Sequence, residues 1–208
     1  MKLQLAIDEL SLDEAIEQIR ILQPYIDIVE VGTPFLIDAG RKAVKTIKEV
    51  FPHIAVLCDM KIMDGGAYES RLGFEYGADY VTVLGVTDNL TIKDCVNEAQ
   101  KYHKKIVVDM ICVSDFKSKI AVIESLGVDV IAVHTGVDQQ AAGKTPLDDL
   151  VEIKQYVKKA QIAVAGGINS KTINQYVALN PDIIIVGGGI LNSDDPIHEA
   201  KMIKNALK

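Results

Sequence analysis

The sequence predicts an α/β protein built as a (β/α)8 TIM barrel, and two observations lead to this fold class. Short β-branched runs alternate with longer amphipathic runs from one end of the chain to the other. A pattern of an Asp, an apolar run and a Gly also recurs at intervals of 52, 50 and 53 residues, beginning at Asp27, Asp79, Asp129 and Asp182. A strand–helix–strand–helix unit repeated four times closes naturally into a barrel of eight parallel strands.

Eight strands can be placed along the chain. They are expected at residues 3–8, 26–31, 54–61, 79–85, 105–111, 129–134, 161–167 and 182–188. Each is followed by a helical pattern, and the first helix opens with a capping box formed by Ser11 and Glu14. Because no linker or shift in composition divides the chain, residues 1–208 are expected to form a single (β/α)8 barrel domain. An open doubly wound sheet is the alternative, but its edge strands would be less apolar than these.

Composition and charge limit the possible partners. The net charge is −7 and no basic run offsets it, which disfavours nucleic acid. No apolar run approaches the roughly 20 residues that span a bilayer, and the first residues enter a strand without a signal-peptide segment. We therefore expect a cytoplasmic protein without a membrane partner. Cys58 and Cys112 lie in apolar runs and are expected to be buried, reduced core residues.

Polar residues gather at the carboxyl ends of the predicted strands, where the active site of such a barrel lies. These residues are Asp8, Glu30, Asp59, Lys61, Asp109 and His134. A single acid would be explained as a helix cap or turn residue, but five strands ending this way indicate a polar site above an apolar core. Asp59 and Lys61 are two residues apart and point to the same side of a strand. Burying such a pair is unfavourable unless the charges meet each other, a metal or a ligand.

The residue types at these strand ends indicate a particular chemistry. Carboxylates without clustered Cys or His favour a hard divalent cation such as Mg²⁺, with Glu30 and Asp59 as its ligands. Lys61 would offset the remaining negative charge and stabilise an oxyanion. His134 is the only histidine at a strand end and is the predicted general acid/base. The other histidines lie near helix ends and are expected to be exposed, namely His53, His103 and His198.

Glycine turns after the seventh and eighth strands predict a phosphate site. They contain Gly166 and Gly167, and Gly187 and Gly188, respectively. Backbone N–H groups at the start of a helix bind anions, and this position is the usual phosphate site of the fold. Asn169 is expected to begin the helix together with Ser170. The residues therefore predict a metal-assisted enzyme that acts on a small sugar phosphate by proton abstraction next to a carbonyl.

Several motifs together resemble a known family. The segments "AID", "VEVGTP", "DMKIMDGG", "VVDMI" and "AVHTGVDQQAAG", with the two glycine turns, cover essentially the whole chain. They resemble the 3-hexulose-6-phosphate synthase family of the orotidine 5′-phosphate decarboxylase superfamily, whose specific motif is Asp-x-Lys-x-x-Asp. The resemblance implies a Mg²⁺-dependent aldol condensation of formaldehyde with D-ribulose 5-phosphate through a 1,2-enediolate. The product would be D-arabino-hex-3-ulose 6-phosphate.

The resemblance also implies a role for each site residue. Glu30 and Asp59 would hold Mg²⁺, while Lys61 would stabilise the enediolate and His134 would move the C1 proton. Asp8 would complete the charge network around Lys61.

Asp64 would act across a subunit interface, because members of the superfamily are homodimers with shared active sites. Its alternative role is a cap on the helix that follows the third strand.

The alternative activity is that of the sister family, 3-keto-L-gulonate 6-phosphate decarboxylase. In that family Glu, Arg, Thr and Arg stand at the positions occupied here by Asp109, Val137, Ala165 and Gly188. All four differences favour the synthase. A more remote alternative is a non-catalytic sugar-phosphate-binding protein, which would have little reason to keep Lys61 and His134 beside a pair of metal ligands.

Overall fold

The structure is a computed structural model that describes residues 1–208, and it confirms the predicted (β/α)8 barrel. Eight parallel strands pair in chain order, and the first strand also pairs with the eighth, so the sheet is closed. The open-sheet alternative is therefore wrong. The strands are β1 (Lys2–Ile7), β2 (Ile28–Val31), β3 (Ala55–Ile62), β4 (Tyr80–Leu84), β5 (Lys105–Asp109), β6 (Val130–His134), β7 (Gln161–Ala165) and β8 (Ile183–Val186).

Eleven helices surround the barrel. They are α1 (Leu12–Leu22), α2 (Thr33–Ala39), α3 (Arg41–Val50), α4 (Gly66–Glu75), α5 (Asn89–Tyr102), α6 (Phe116–Ser125), α7 (Val137–Ala141), α8 (Leu147–Tyr156), α9 (Ile173–Val177), α10 (Gly188–Leu191) and α11 (Pro196–Ala206). None of them combines the length and the apolar character that a membrane crossing requires. The capping box of Ser11 and Glu14 at the start of α1 is confirmed.

Two helices rather than one follow β2, β6 and β8. The first helix of each pair is short, and the closing glycine of the sequence repeat is its N-cap: Gly32 for α2, Gly136 for α7 and Gly187 for α10. At three of the four even-numbered strands, the repeated glycine therefore marks the point where the chain leaves the strand and enters a short helix beside the carboxyl end of the barrel.

The aspartate that opens each repeat has a structural role at the opposite end of the barrel. In all four repeats its Oδ2 atom accepts a hydrogen bond from the second residue of the preceding odd-numbered strand, at 2.8 to 3.0 Å. The donor–acceptor pairs are Leu3 with Asp27, Val56 with Asp79, Ile106 with Asp129 and Ile162 with Asp182. Such bonds satisfy backbone donors where each strand begins and contribute about 1 kcal/mol apiece.

The apolar core has two layers. The inner layer fills the barrel with eight buried side chains, among them Leu57, Tyr80 and Val107. The outer layer, of 48 buried residues, lies between the strands and the helices. Strand alternation directs successive side chains into one layer or the other, and the charged residues of the predicted site lie at the carboxyl ends of the strands.

The two cysteines expected in the core differ. Cys58 lies on β3 and is buried, and burial raises the pKa of its thiol to about 12. The prediction for Cys112 is wrong, since this residue is exposed. Strand β5 ends at Asp109, so Cys112 falls in the turn that follows, where it has a positive φ of 61°.

Candidate active site

Four of the predicted site residues form one connected charged cluster at the carboxyl end of the barrel. Lys61 Nζ lies 2.7 Å from Asp59 Oδ2 and 3.2 Å from Asp109 Oδ2. Asp109 Oδ2 lies 2.8 Å from His134 Nδ1. The cluster thus joins the ends of β3, β5 and β6, with both carboxylates buried and the lysine and histidine partly exposed towards solvent.

The carboxylates keep Lys61 in its charged form. Burial by itself lowers the pKa of the Lys61 ammonium, but the charges of Asp59 and Asp109 outweigh burial and raise the pKa above its ordinary value. Burial likewise raises the pKa of Asp109, but the hydrogen bond and charge of His134, together with Lys61, hold it below its usual range. Both residues are therefore ionised at neutral pH, and the lysine presents a fixed positive charge at the barrel mouth.

The backbone at Lys61 is unusual. Its φ is +47°, and the register between β3 and β4 shifts between Cys58 and Ile62. The β-bulge leaves the Lys61 N–H outside the regular ladder, and that N–H donates to Thr82 Oγ1 at 2.9 Å. A left-handed conformation is unfavourable in a non-glycine residue. It persists only where the surrounding structure holds it, and such residues are often found at functional sites.

Glu30 and Asp59 form a pair of carboxylates on neighbouring strands. Burial, reinforced by the nearby charge of Asp59, raises the pKa of Glu30 to about 8, while a hydrogen bond from Gln4 Nε2 at 2.6 Å opposes the shift. No group of three or more His, Cys, Asp or Glu side chains forms a ready-made metal centre. The donors present nevertheless fit Mg²⁺, which is commonly bound by one or two carboxylates plus substrate oxygens and water.

Asp8 lies beside the cluster but does not bond to Lys61. Partial burial raises the pKa of its carboxylate, and the charge of Asp59 adds to this effect. A Cβ atom on Gly32 would come within 2.0 Å of Asp8 Oδ1. Gly32, which follows β2, therefore leaves room for the Asp8 carboxylate. This carboxylate interacts with Lys61 electrostatically rather than through a hydrogen bond.

Asp64 lies outside the cluster formed within the chain. It is exposed, and its carboxylate accepts a hydrogen bond from the N–H of Gly65 at 2.8 Å. Gly65 is the N-cap of α4 and has a φ of +63°. No side-chain hydrogen bond caps the start of this helix, so Asp64 does not act as its cap. The next residue, Gly66, begins α4, and a Cβ there would lie 2.3 Å from the carbonyl oxygen of Thr91. The glycine pair thus sets a sharp exit that leaves Asp64 facing outwards.

The two glycine turns lie against each other. A Cβ on Gly189 would approach the Ile168 carbonyl oxygen to 2.1 Å, so the turn after β8 packs directly on the turn after β7. The N–H groups of Gly166, Gly167 and Gly187 donate to no carbonyl in the loops and turns. They remain free for an anion, and Gly188 begins the short helix α10 beside them.

One detail of the predicted phosphate site is wrong. Asn169 and Ser170 do not begin a helix, because α9 starts at Ile173. Asn169 Oδ1 instead accepts from the N–H groups of Lys171 and Thr172 in a turn, and the Ser170 N–H donates to a glutamate of α11 at 2.6 Å. The N–H groups of Ser170, Lys171 and Thr172 are therefore already hydrogen-bonded within the chain.

The positions that separate the two sister families occupy different parts of the mouth. Asp109 is in the charged cluster, Val137 begins α7 with 80% of its surface exposed, and Ala165 pairs with His134 in the sheet register. Position 137 is therefore a valine rather than an arginine, and position 165 is an alanine rather than a threonine.

Sequence reasoning missed three polar residues of the site. Thr33 Oγ1 lies 2.8 Å from Asp59 Oδ2, Thr82 Oγ1 donates to Asp59 Oδ1 at 2.7 Å, and Gln4 contacts Glu30. Gln4 and Thr82 are buried in otherwise apolar strands. A buried polar residue inside a strand was the signal that could have identified those two.

A closed barrel with a buried charged cluster at its carboxyl mouth defines an enzyme of the TIM-barrel class. Residues 1–203 match the model of the orotidine 5′-phosphate decarboxylase / HUMPS family. A 3-hexulose-6-phosphate synthase of Bacillus subtilis is 50% identical over 100% of this chain and 99% of its own. The chain belongs to the orotidine 5′-phosphate decarboxylase / HUMPS family, as its motifs predicted.

Solved structures show the same relationship. The crystal structure of 3-hexulose-6-phosphate synthase from Salmonella typhimurium is 54% identical, with a TM-score of 0.98 over 100% of this chain and 98% of that chain. A 3-keto-L-gulonate-6-phosphate decarboxylase from Vibrio cholerae is 26% identical, with a TM-score of 0.87 over 99% and 96%. The prediction that the protein is an enzyme is confirmed by these full-length relatives, which bear the names of enzymes.

Proposed function

We propose that this protein condenses formaldehyde with D-ribulose 5-phosphate to give D-arabino-hex-3-ulose 6-phosphate, in a Mg²⁺-dependent aldol reaction through a 1,2-enediolate. The observation that carries the proposal is the shared carboxylate of Asp109, which lies within hydrogen-bonding distance of both Lys61 Nζ and His134 Nδ1. A fixed cation and an oriented imidazole are thereby held at one site. Such a pair suits proton abstraction next to a carbonyl, because the imidazole can act as the base and the cation can stabilise the developing oxyanion.

Substrate binding would use two parts of the barrel mouth. The free N–H groups of Gly166, Gly167 and Gly187 would bind the phosphate, as backbone donors do at anion sites. The carbonyl end of the sugar would then extend towards Lys61 and His134. Glu30 and Asp59 would hold Mg²⁺, which, when bound, would supply Lewis-acid polarisation of the substrate oxygens.

His134 would carry out the proton transfer at C1. Asp109 is ionised and accepts a hydrogen bond from Nδ1, so Nε2 is the nitrogen with a free lone pair. Nε2 would remove a C1 proton from D-ribulose 5-phosphate, and the electron pair of the C–H bond would form the C1–C2 double bond of the enediolate. Lys61 would stabilise the negative charge that develops on the O2 oxygen.

The second step would form the new bond. C1 of the enediolate would attack the carbon of formaldehyde, whose oxygen takes the electron pair and then a proton from His134. The ketone re-forms at the former C2, which becomes C3 of the product. No external oxidant or reductant is needed, and the histidine returns to its starting state.

We also propose that the enzyme is a homodimer with shared active sites. Asp64 is exposed at the rim of the barrel mouth and bonds only to the neighbouring Gly65 N–H. Supplying Asp64 to the partner's Lys61 would give this carboxylate a role that its own chain does not provide. The exposed apolar side chains of Met63 and Tyr68 flank it and would be covered in such a contact.

The proposal favours the synthase over the decarboxylase activity. Full-length identities of 50% and 54% are to proteins named as synthases, against 26% to one named as a decarboxylase. The neutral side chains of Val137 and Ala165 agree with this preference, because no arginine stands beside His134 to protonate a decarboxylated intermediate.

A paired assay tests the proposal. With Mg²⁺ present, the purified protein should consume formaldehyde when D-ribulose 5-phosphate is added and form hexulose 6-phosphate. It should release little CO₂ from 3-keto-L-gulonate 6-phosphate under the same conditions. The reverse ratio of activities would assign the protein to the decarboxylase, and the absence of both would leave only a binding function.

A further inference from the structure

Thr82 forms hydrogen bonds with both Asp59 and Lys61, the two charged residues at the bulged end of β3. It lies on β4, is 5% exposed, and its hydroxyl oxygen makes two hydrogen bonds. As a donor it reaches Asp59 Oδ1 at 2.7 Å, and as an acceptor it receives the Lys61 N–H at 2.9 Å. A hydroxyl is suited to this position because it donates and accepts at once.

One of these hydrogen bonds restrains the backbone of Lys61, and the other restrains the carboxylate of Asp59. Lys61 has a left-handed backbone with φ +47°, a conformation that a lysine leaves unless its surroundings hold it. The Asp59 carboxylate is held at both oxygens, with Oδ1 bonded by Thr82 and Oδ2 close to Thr33 Oγ1 and Lys61 Nζ. Without Thr82, the Lys61 N–H would lose its acceptor and Asp59 Oδ1 would lose its donor.

We propose that Thr82 is a positioning residue for the reaction. Its single hydroxyl fixes the backbone from which the Lys61 side chain extends and the carboxylate that the ammonium contacts, so it sets where Lys61 Nζ lies. Thr82 touches neither substrate nor metal in this scheme. The inference rests on the proposed function for its kinetic consequence, while its structural consequence is independent of that function.

The decisive variants are Thr82→Val and Thr82→Ser. Valine keeps the shape of threonine and removes the hydroxyl, so kcat should fall about 10- to 100-fold while KM for D-ribulose 5-phosphate stays within about threefold. Serine restores the hydroxyl and should keep kcat within about threefold of wild type. A purely structural role would instead lower the melting temperature without this pattern of kcat loss and rescue.

Ser70→Ala is the matched control. Ser70 is fully buried on α4, and its hydroxyl donates to the backbone oxygen of Gly66 at 2.5 Å, away from the charged cluster. This variant also removes a buried hydroxyl and should lose thermal stability with kcat close to wild type. Equal loss of kcat in Ser70→Ala and Thr82→Val would overturn the positioning role, as would a Thr82→Val enzyme with wild-type kcat.

A crystal structure of Thr82→Val separates this inference from the proposed function. The Lys61 φ should leave the left-handed region, or the Lys61 Nζ to Asp59 contact should open beyond hydrogen-bonding distance. An unchanged bulge and an unchanged contact would overturn the inference whatever reaction the enzyme catalyses. A rearranged bulge in an enzyme whose wild type has no aldol activity would support Thr82 positioning and refute the proposed function.

Discussion

The carboxylate Oδ2 of Asp109 lies 2.8 Å from Nδ1 of His134, and this contact determines which nitrogen of the ring is basic. The pKa of Asp109 is held below its ordinary value against the effect of burial, mainly by His134 and Lys61. An ionised carboxylate only accepts hydrogen bonds, so Nδ1 carries the proton and Nε2 is left as the base.

His134→Gln is therefore expected to lower kcat about 100- to 10,000-fold, the range associated with loss of a general acid/base. NMR in D₂O without formaldehyde gives a direct readout, because the wild type should exchange a C1 proton of D-ribulose 5-phosphate and the variant should not. His53→Gln is the control, since His53 is exposed and outside the site. Wild-type exchange in His134→Gln would remove this residue from the proton-transfer step.

Activity is expected to depend on a divalent cation. Glu30 and Asp59 bring two carboxylates together, and burial with the charge of Asp59 raises the pKa of Glu30 to about 8. A divalent cation would relieve that repulsion, so a chelator should abolish turnover and added Mg²⁺ should restore it. Isothermal titration calorimetry should also detect Mg²⁺ binding to the wild type and weaker Mg²⁺ binding to Glu30→Gln. Full activity in excess chelator would contradict the metal assignment.

The preference for aldol addition is expected to reside in Asp109, Val137 and Ala165. The triple change Asp109→Glu, Val137→Arg and Ala165→Thr should raise decarboxylation of 3-keto-L-gulonate 6-phosphate and lower aldol addition. A cationic arginine can help to protonate the decarboxylated intermediate, whereas valine cannot. Both rates are measured on the same preparation. An unchanged ratio of the two activities would show that other positions determine the preference.

Asp64 is expected to act in the active site of the partner subunit. Asp64→Ala and Lys61→Ala should each inactivate the enzyme, and mixing the two inactive proteins should restore activity. In a mixed dimer one site would carry both defects and the other neither, so up to half of the sites would work.

If Asp64 acts within its own chain, each site of the mixed dimer has one defect and no activity returns. Native mass spectrometry must first demonstrate subunit exchange, because unexchanged homodimers would also be inactive. Absence of recovery after exchange has been demonstrated would contradict the shared site.

Asp79 is expected to contribute stability that is lost in acid. Its carboxylate accepts from Lys104 Nζ at 2.6 Å, Lys48 Nζ at 2.7 Å and the Val56 N–H at 2.9 Å. Burial alone raises the pKa of Asp79, but these partners lower it below its ordinary value. The stabilisation is therefore present above the unfolded pKa and disappears as the pH falls through the lower folded pKa.

Asp79→Asn should lower the free energy of unfolding by about 1 kcal/mol near neutral pH, because partial exposure screens the ion pairs. The difference from wild type should shrink in acid. Urea unfolding between about pH 7 and about pH 3 measures it, with the exposed Asp148→Asn as the control. A difference that grows as the pH falls would refute the stated direction of the pKa shift.

The barrel and most of its site could be predicted from the sequence because both depend on periodic patterns. Strand alternation predicts Asp59 and Lys61 on one side, and the two side chains do meet, although a β-bulge with a left-handed Lys61 interrupts the alternation between them. Parallel strands bring their polar ends to one edge. The position of Asp8 could not be predicted in this way, because the room for its carboxylate depends on Gly32, where a Cβ atom would come within 2.0 Å of Asp8 Oδ1.

The role of Thr82 also lay beyond sequence reasoning. Its hydroxyl acts on a β-bulge, and the bulge depends on how β3 and β4 pair rather than on a local motif. The exposure of Cys112 was missed for a related reason, because an apolar run does not show where a strand ends and its turn begins.

The four aspartates at the amino ends of the strands also bear on the order of folding. Each joins residues close in sequence, as Leu3 and Asp27 are, so a quarter of the barrel can form over a short loop. The seam between β8 and β1, which includes the Lys2 N–H bond to the Asp182 oxygen, joins residues 180 positions apart. Closing that longer loop costs about 2 kcal/mol more in chain entropy. Pulse-labelling hydrogen exchange should therefore find the amides of this seam protected last during refolding, and a circular permutant cut elsewhere would shift the late step to its own new seam.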